Sequence, residues 1–149
     1  MKACNGCTLC CKLLNVPELS RDGEQCRYAC NGCEIHDDRP DQCRSFDCFW
    51  RAESWPAFLK PSKCNVLFEA LPQATTILVT MDEKHPYAWT ETNIIETIHK
   101  LVKKNRPVVV RNPEGITRFF LPEHITQQQV IEDVKKTLEL NSDRSQLHN

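Results

Sequence analysis

The sequence lacks an excess of charge of either sign, lacks any long apolar run, and has no cysteine beyond Cys64. The formal charge of -1, from 19 basic and 20 acidic residues, gives no electrostatic reason for a nucleic acid or an anionic membrane surface to be the main partner. Nowhere are there the roughly 18 consecutive apolar residues of a membrane span, and the polar start Met1-Lys2-Ala3-Cys4 is not followed by the apolar core, about 7 to 15 residues long, of an export signal. The expectation is a soluble, cytoplasmic protein with no membrane segment and no nucleic-acid partner. His85, His99, His124 and His148 are scattered, with no pair at helical spacing, which points to surface or core positions rather than catalysis.

What is there is concentrated. All ten cysteines, Cys4, Cys7, Cys10, Cys11, Cys26, Cys30, Cys33, Cys43, Cys48 and Cys64, lie at or before residue 64. An export signal and an oxidising compartment are what a disulfide scaffold would need; without them, clustered cysteines point to metal. In Cys4-x2-Cys7-x2-Cys10-Cys11, two residues between cysteines let a tight turn aim both sulfurs at one ion, and the device is used twice in succession. Cys30-x2-Cys33 repeats the spacing. Donors this rich in sulfur favour zinc, iron-sulfur clusters or copper(I) over magnesium, calcium or manganese. Adjacent Cys10 and Cys11 are expected to point apart, serving two metals or two edges of one cluster. The first three cysteines also overlap a bacterial ferredoxin spacing, but Cys11 does not supply that pattern's fourth cysteine, three residues on and before a proline. Lys12, Arg27, Arg39, Arg44 and Arg51 are interleaved with the thiols, either as support for the sulfurs or as solvated charge.

At 149 residues the chain can hold one ordinary domain, or a small stapled module and a second unit with its own core. The composition favours the second: residues 1–64 as a cysteine-cluster module, 65–141 as an α+β unit and 142–149 as a flexible tail. Up to Pro61 few apolar residues recur with any period, so metal has to supply much of the order. Phe46, Phe49, Trp50, Trp55 and Phe58 are expected to shield the metal core and join it to the rest. Asn65–Leu71 and Thr75–Thr80 read as strands about a turn at Pro72. Ile94, Ile95, Ile98, Leu101 and Val102 make one stripe of a helix that begins near Thr90 or Thr92 and stops before Pro107. Val108–Arg111 and Ile116–Leu121 flank the turn Asn112-Pro113-Glu114-Gly115. Thr126 and Gln129 fit a capping box ahead of a stripe at Val130, Ile131, Val134 and Leu138. After Leu140 no stripe remains. The order is ββαββα, which implies a two-layer α+β unit with a mostly antiparallel sheet. Asp82, Glu83 and His85, after a strand end, read as a solvated turn.

Taken in order, Cys4-x2-Cys7-x2-Cys10-Cys11, Cys26 and Gly32-Cys33-x-Ile35-His36-x-x-Arg39-Pro40-x-x-Cys43-Arg44-x-Phe46-x-Cys48-x-Trp50 resemble the bacterial cysteine-cluster family called YkgJ-type or CxxCxxCC, described as zinc- or iron-chelating. The resemblance covers roughly the first third of the chain. It implies eight ligands, Cys4, Cys7, Cys10, Cys11, Cys26, Cys33, Cys43 and Cys48, and no reaction. The chain departs from the family at His36, where an aromatic residue is usual, and in its additional Cys30 and Cys64. Cys30 completes a knuckle with Cys33 but stands where relatives have an apolar residue. His36 could ligate beside Cys33, since imidazole suits zinc and iron, but the aromatic residue usual there favours packing, and Cys64 reads as a small buried hydrophobe.

The leading functional expectation is a metal-binding protein whose all-cysteine sites hold zinc, with two ions, in a mainly structural role, leaving the α+β unit to meet a protein partner. Two alternatives stay open at this point. One is a redox protein or enzyme with iron or an iron-sulfur cluster; the other is metal trafficking or thiol-redox chemistry, in which Cys-x2-Cys pairs exchange ions or electrons.

Overall fold

The computed structural model describes residues 4, 6–14, 16, 19, 24–46, 48–71 and 74–146. The longest apolar periodicities organise it. Strands β1 (Val66–Ala70) and β2 (Ile77–Met81) precede helix α5 (Thr92–Lys103), and β3 (Val108–Arg111) and β4 (Thr117–Phe120) precede helix α6 (Gln127–Gln146). Ahead of them lie four short helical segments, α1 (Cys10–Leu13), α2 (Asp41–Ser45), α3 (Phe49–Ala52) and α4 (Pro61–Cys64). The chain is therefore α+β, with a four-stranded sheet in the order β1-β2-β3-β4. The two hairpins pair antiparallel, as the sequence predicts, while β2 and β3 run parallel. The parallel pair follows from α5, which carries the chain back across the sheet between them.

Side chains on a strand alternate between faces. Register puts Ile77, Val79 and Met81 of β2 beside Ala70, Phe68 and Val66 of β1, and Ile77 and Val79 beside Val108 and Val110 of β3. This face is buried, and Ile94, Ile98 and Leu101 of α5 join the same apolar cluster. Ile95 and Val102 sit at the margin of the α5 stripe, and Thr97 is buried instead, its hydroxyl donating to the Asn93 carbonyl at 2.7 Å. The helix stops where Asn105 turns left-handed (φ 60°), with Arg106 N–H donating to Leu101 O and Asn105 N–H to Val102 O. That is a Schellman arrangement, and Pro107 then prevents resumption.

At α6 the capping box is present in both directions: Thr126 N–H donates to Gln129 Oε1 at 2.8 Å and Gln129 N–H to Thr126 Oγ1 at 3.3 Å. The helix continues to Gln146, past Leu140 where the apolar stripe ends. The expected turn residue Pro72, the Leu138 side chain and residues 147–149 lie outside the described set.

The cysteine-rich segment packs on the outer strand of the sheet. Val66, Leu67 and Phe68 of β1 are all buried, so both faces of that strand are covered. Cys48 forms an antiparallel bridge to Glu69, occupying part of an edge that would otherwise offer unpaired backbone groups. Trp55 meets Phe49 and Phe68 edge-on, with ring centroids 4.6 and 5.0 Å apart, and Arg106 lies 4.9 Å over the Phe49 ring. One apolar cluster thus runs from Leu9, Cys48, Phe49, Trp50 and Leu59 through the sheet to α5. Phe58 is the exception among the expected joining aromatics, at 50% exposure.

Lys12 supplies a polar tie between the two regions. Its Nζ donates to Asp82 Oδ1 at 2.7 Å and lies 3.6 Å from Glu83 Oε1. Asp82 is therefore not part of a solvated turn, and its side chain is only 17% exposed. Burial alone would push its carboxyl pKa up; hydrogen bonds from Lys12 and from the Lys84 N–H, with the Lys12 charge, hold it below the ordinary value instead. A carboxyl lowered in the folded state contributes stability above its unfolded pKa and loses it as pH falls through the folded value. Asp82→Asn should thus lower the unfolding free energy by about 1 kcal/mol at pH 7. In urea titrations the gap between wild type and variant should close as pH drops below the ordinary 3.8; a gap independent of pH would refute the tie.

Candidate metal centre

The first knuckle is a turn in which Cys7 N–H donates to Cys4 O at 3.0 Å. Gly6 makes it, at φ +76°, a conformation L side chains rarely adopt. The chain then enters α1, whose first two residues are Cys10 and Cys11. Neighbours on a helix are about 100° apart around its axis, but the two thiols do not point apart as expected: they meet in a side-chain hydrogen bond. Cys26 returns to this segment through its N–H, which donates to Cys11 O at 3.0 Å. The second knuckle reverses through Asn31 (φ 49°) and Gly32 (φ 130°), both left-handed, and an antiparallel bridge joins Ala29 to Cys33. Cys43 lies on α2, and Cys48 immediately precedes α3.

These folds bring all eight cysteines implied by the family resemblance to one cavity of about 100 Å³. Its wall is completed by His36, Arg39, Arg51 and an apolar lining that includes Leu14, Phe46, Trp50 and Leu67. All ten cysteines are free thiols. Cys30 is exposed and does not belong to the wall. Cys64 does not line it either; its Sγ lies 3.4 Å from Val66 O and 3.6 Å from Leu59 O. Burial pushes the Cys64 thiol up to about 11, in keeping with a protonated, inert side chain.

The interleaved cations divide between several tasks. Arg39 and Arg51 line the cavity. Lys12 turns to Asp82, and Arg27 lies 4.9 Å over the Tyr28 ring. Arg44 braces the loop beneath Arg39, with Nε donating to Arg39 O at 2.8 Å and Nη2 to Asp37 O at 2.7 Å. His36, which the sequence offers as a ligand beside Cys33 or as packing, is an exposed residue at the cavity wall, its Nδ1 3.4 Å from Asp37 Oδ1.

Crowded thiols raise the cost of ionising one another. At Cys10 a hydrogen bond to Cys11 acts first, then burial, then the charges of Cys11, Cys7 and Cys4, and together they lift its pKa far above the ordinary thiol value. The same hydrogen bond, with the Cys10 S–H as donor, pulls Cys11 down to about 7. At Cys43 burial acts first, followed by the charges of Cys11, Cys26 and Cys33, with Arg39 opposing. Burial also raises Cys48, against N–H groups of Arg51 and Trp50 that favour its thiolate, and Cys7 and Cys4 add to the rise.

Among the described residues, no group of three or more His, Cys, Asp or Glu side chains is already arranged to hold a metal ion. The chemistry of the wall nonetheless suits a soft cation. It offers sulfur donors almost alone, and a bound divalent ion reverses the mutual repulsion by favouring thiolates. Arg39 adds a second observation, since its Nε is buried with no hydrogen-bond partner. An anionic metal-thiolate group would give that donor an acceptor.

A second, open cleft of about 890 Å³ is lined by Phe58, Lys63, Cys64, His85, Tyr87 and the start of α5 among others. Phe58 and Tyr87 are the exposed large hydrophobic residues of the described chain, and the Tyr87 hydroxyl donates to Glu114 Oε2 at 2.6 Å. Among the described residues, no helix is long and apolar enough to cross a membrane.

Comparison with known proteins adds no identification: no family model, no curated protein and no solved structure matches the chain.

The thiol ionisation pattern is testable in the reduced, metal-free protein. Alkylation at Cys11 should rise through pH 7, whereas Cys64 should resist labelling until about pH 11. Peptide mass spectrometry after timed iodoacetamide treatment reads both, and equal labelling of the two at pH 8 would contradict the arrangement.

Proposed function

We propose that the protein is a cytoplasmic metal-binding protein of the YkgJ type, whose cavity cysteines hold two zinc ions in all-sulfur sites with a structural role. The observation that carries this reading is the convergence of Cys4, Cys7, Cys10, Cys11, Cys26, Cys33, Cys43 and Cys48 on one cavity. Eight sulfurs match the needs of two four-coordinate ions, and four-cysteine sites are closed, leaving no position for water or substrate. Zinc supplies no redox chemistry of its own; it neutralises thiolates and cross-links the segments that carry them.

The chain's own residues do the rest. The turns at Gly6 and Gly32 set the knuckles, Trp50 and Phe46 exclude water from the sulfurs, and Arg39 and Arg51 offset negative charge. The ions would fix the position of α1, α2 and α3 against β1, since the intervening segments bury little apolar surface by themselves. Any contact with a protein partner then falls to the cysteine-free α+β unit.

Elemental analysis of untagged protein purified without oxygen tests the reading. A colourless protein with about two zinc per chain is expected, and removal of the metal should unfold residues 4–48 while weakening the whole. A brown, iron-containing and redox-active protein would replace this account with the iron-sulfur alternative, and a metal-free folded protein would end both.

A further inference from the structure

The open cleft shares no lining residue with the cysteine cavity. Its lining comes from two stretches, 57–65 and 85–94. Exposed apolar side chains mark contact sites when they gather in one place. Phe58 and Tyr87, the large hydrophobic residues that the described chain leaves exposed, both line this cleft. Each is positioned by its surroundings. Phe58 sits in a helical turn (Ala57–Leu59) whose next residue, Leu59, is buried. Tyr87 is held through its hydroxyl, the donor to Glu114 Oε2 at 2.6 Å.

The charges of the lining are fixed in a similar way. Lys63 lies on α4, and Glu91 immediately precedes α5, its carbonyl accepting from the N–H groups of Ile94 and Ile95 at 2.9 and 3.0 Å. Among the described residues neither side chain is in an ion pair, with the other or with a third group. One cleft thus presents a cation and a carboxylate that do not neutralise each other. His85 adds an imidazole that can donate or accept a hydrogen bond.

We propose that this cleft binds a short peptide with free ends and an aromatic side chain, its ring against Phe58 and Tyr87, its carboxylate toward Lys63 and its ammonium toward Glu91. Aromatic rings attract one another offset or edge-on, and charge-assisted hydrogen bonds fix the two ends. The shape selects a peptide over a compact small molecule. Sites for such molecules cover about 70 to 90% of the ligand surface, whereas a cleft of about 890 Å³ that is open to solvent leaves one side of an extended chain uncovered. The inference does not depend on metal in the cysteine cavity.

Titration calorimetry of the protein as purified, with the tripeptide Gly-Trp-Gly, tests the assignment. One site with a Kd below about 1 mM is expected, with amide NMR shifts centred on residues 57–65 and 85–94. Phe58→Ala should weaken binding about tenfold, and Lys63→Gln and Glu91→Gln each about threefold to fivefold. All three residues are exposed, so the fold should survive each change. No saturable binding of the tripeptide, shifts centred elsewhere, equal affinity for Gly-Ala-Gly, or unchanged affinity in all three variants would overturn the proposal. Free L-tryptophan binding as tightly as the tripeptide would overturn the choice of a peptide.

Discussion

Thiols packed around a small cavity repel one another once ionised, and that constraint acts on the cysteines that line this protein's cavity. A single deprotonation is shared: the Cys10 thiol donates to the Cys11 sulfur, so one rises far above its ordinary pKa as the other falls to about 7. A further charge in the same space is increasingly costly without a cation. The arginines Arg39 and Arg51 on the wall offset only part of it. The proposed soft divalent ion would change the balance, because it binds the thiolate and not the thiol, so that metal loading and thiol ionisation would be one event. In the proposed zinc-bound state, the same logic would explain how so irregular a segment is ordered. Its helices are four or five residues long, too short to persist without tertiary support.

The support on the other side is the sheet. β1 is covered on both faces and bridged at its edge by Cys48, and the Trp55 ring stands between Phe49 and Phe68. Cys48 therefore belongs to two systems, as a thiol of the cavity and as a member of the apolar cluster. Lys12, next to Cys11 in sequence, reaches Asp82 just past β2. Through these contacts the geometry of the thiols depends on the α+β unit, and covering of the outer strand depends on the cysteine segment.

Legibility in the sequence followed periodicity and local chemistry. The α5 stripe, the stop before Pro107 and the Thr126–Gln129 capping box were all readable because each is a local pattern with a local cause. Both hairpins were readable from alternation and turn residues. The parallel pairing of β2 with β3 was not, since no local pattern fixes how strands separated by a helix align. Helices α1 to α4 carry no full period, and α6 runs past Leu140 because polar residues can prolong a helix without an apolar stripe. The eight cavity cysteines were named by ordered spacing and family resemblance, and the fold brings them to one wall. The tie from Lys12 to Asp82 and the place of His36 at the cavity wall depend on contacts between residues distant in sequence, which spacing does not record.

The most direct test of a sulfur-only, two-zinc cavity is the X-ray absorption spectrum at the zinc edge of the protein as purified. The account predicts a single shell of four sulfurs per zinc at about 2.3 Å. A shell containing nitrogen or oxygen at about 2.0 to 2.1 Å would mean that His36 or water completes a site, and would contradict closed cysteine centres.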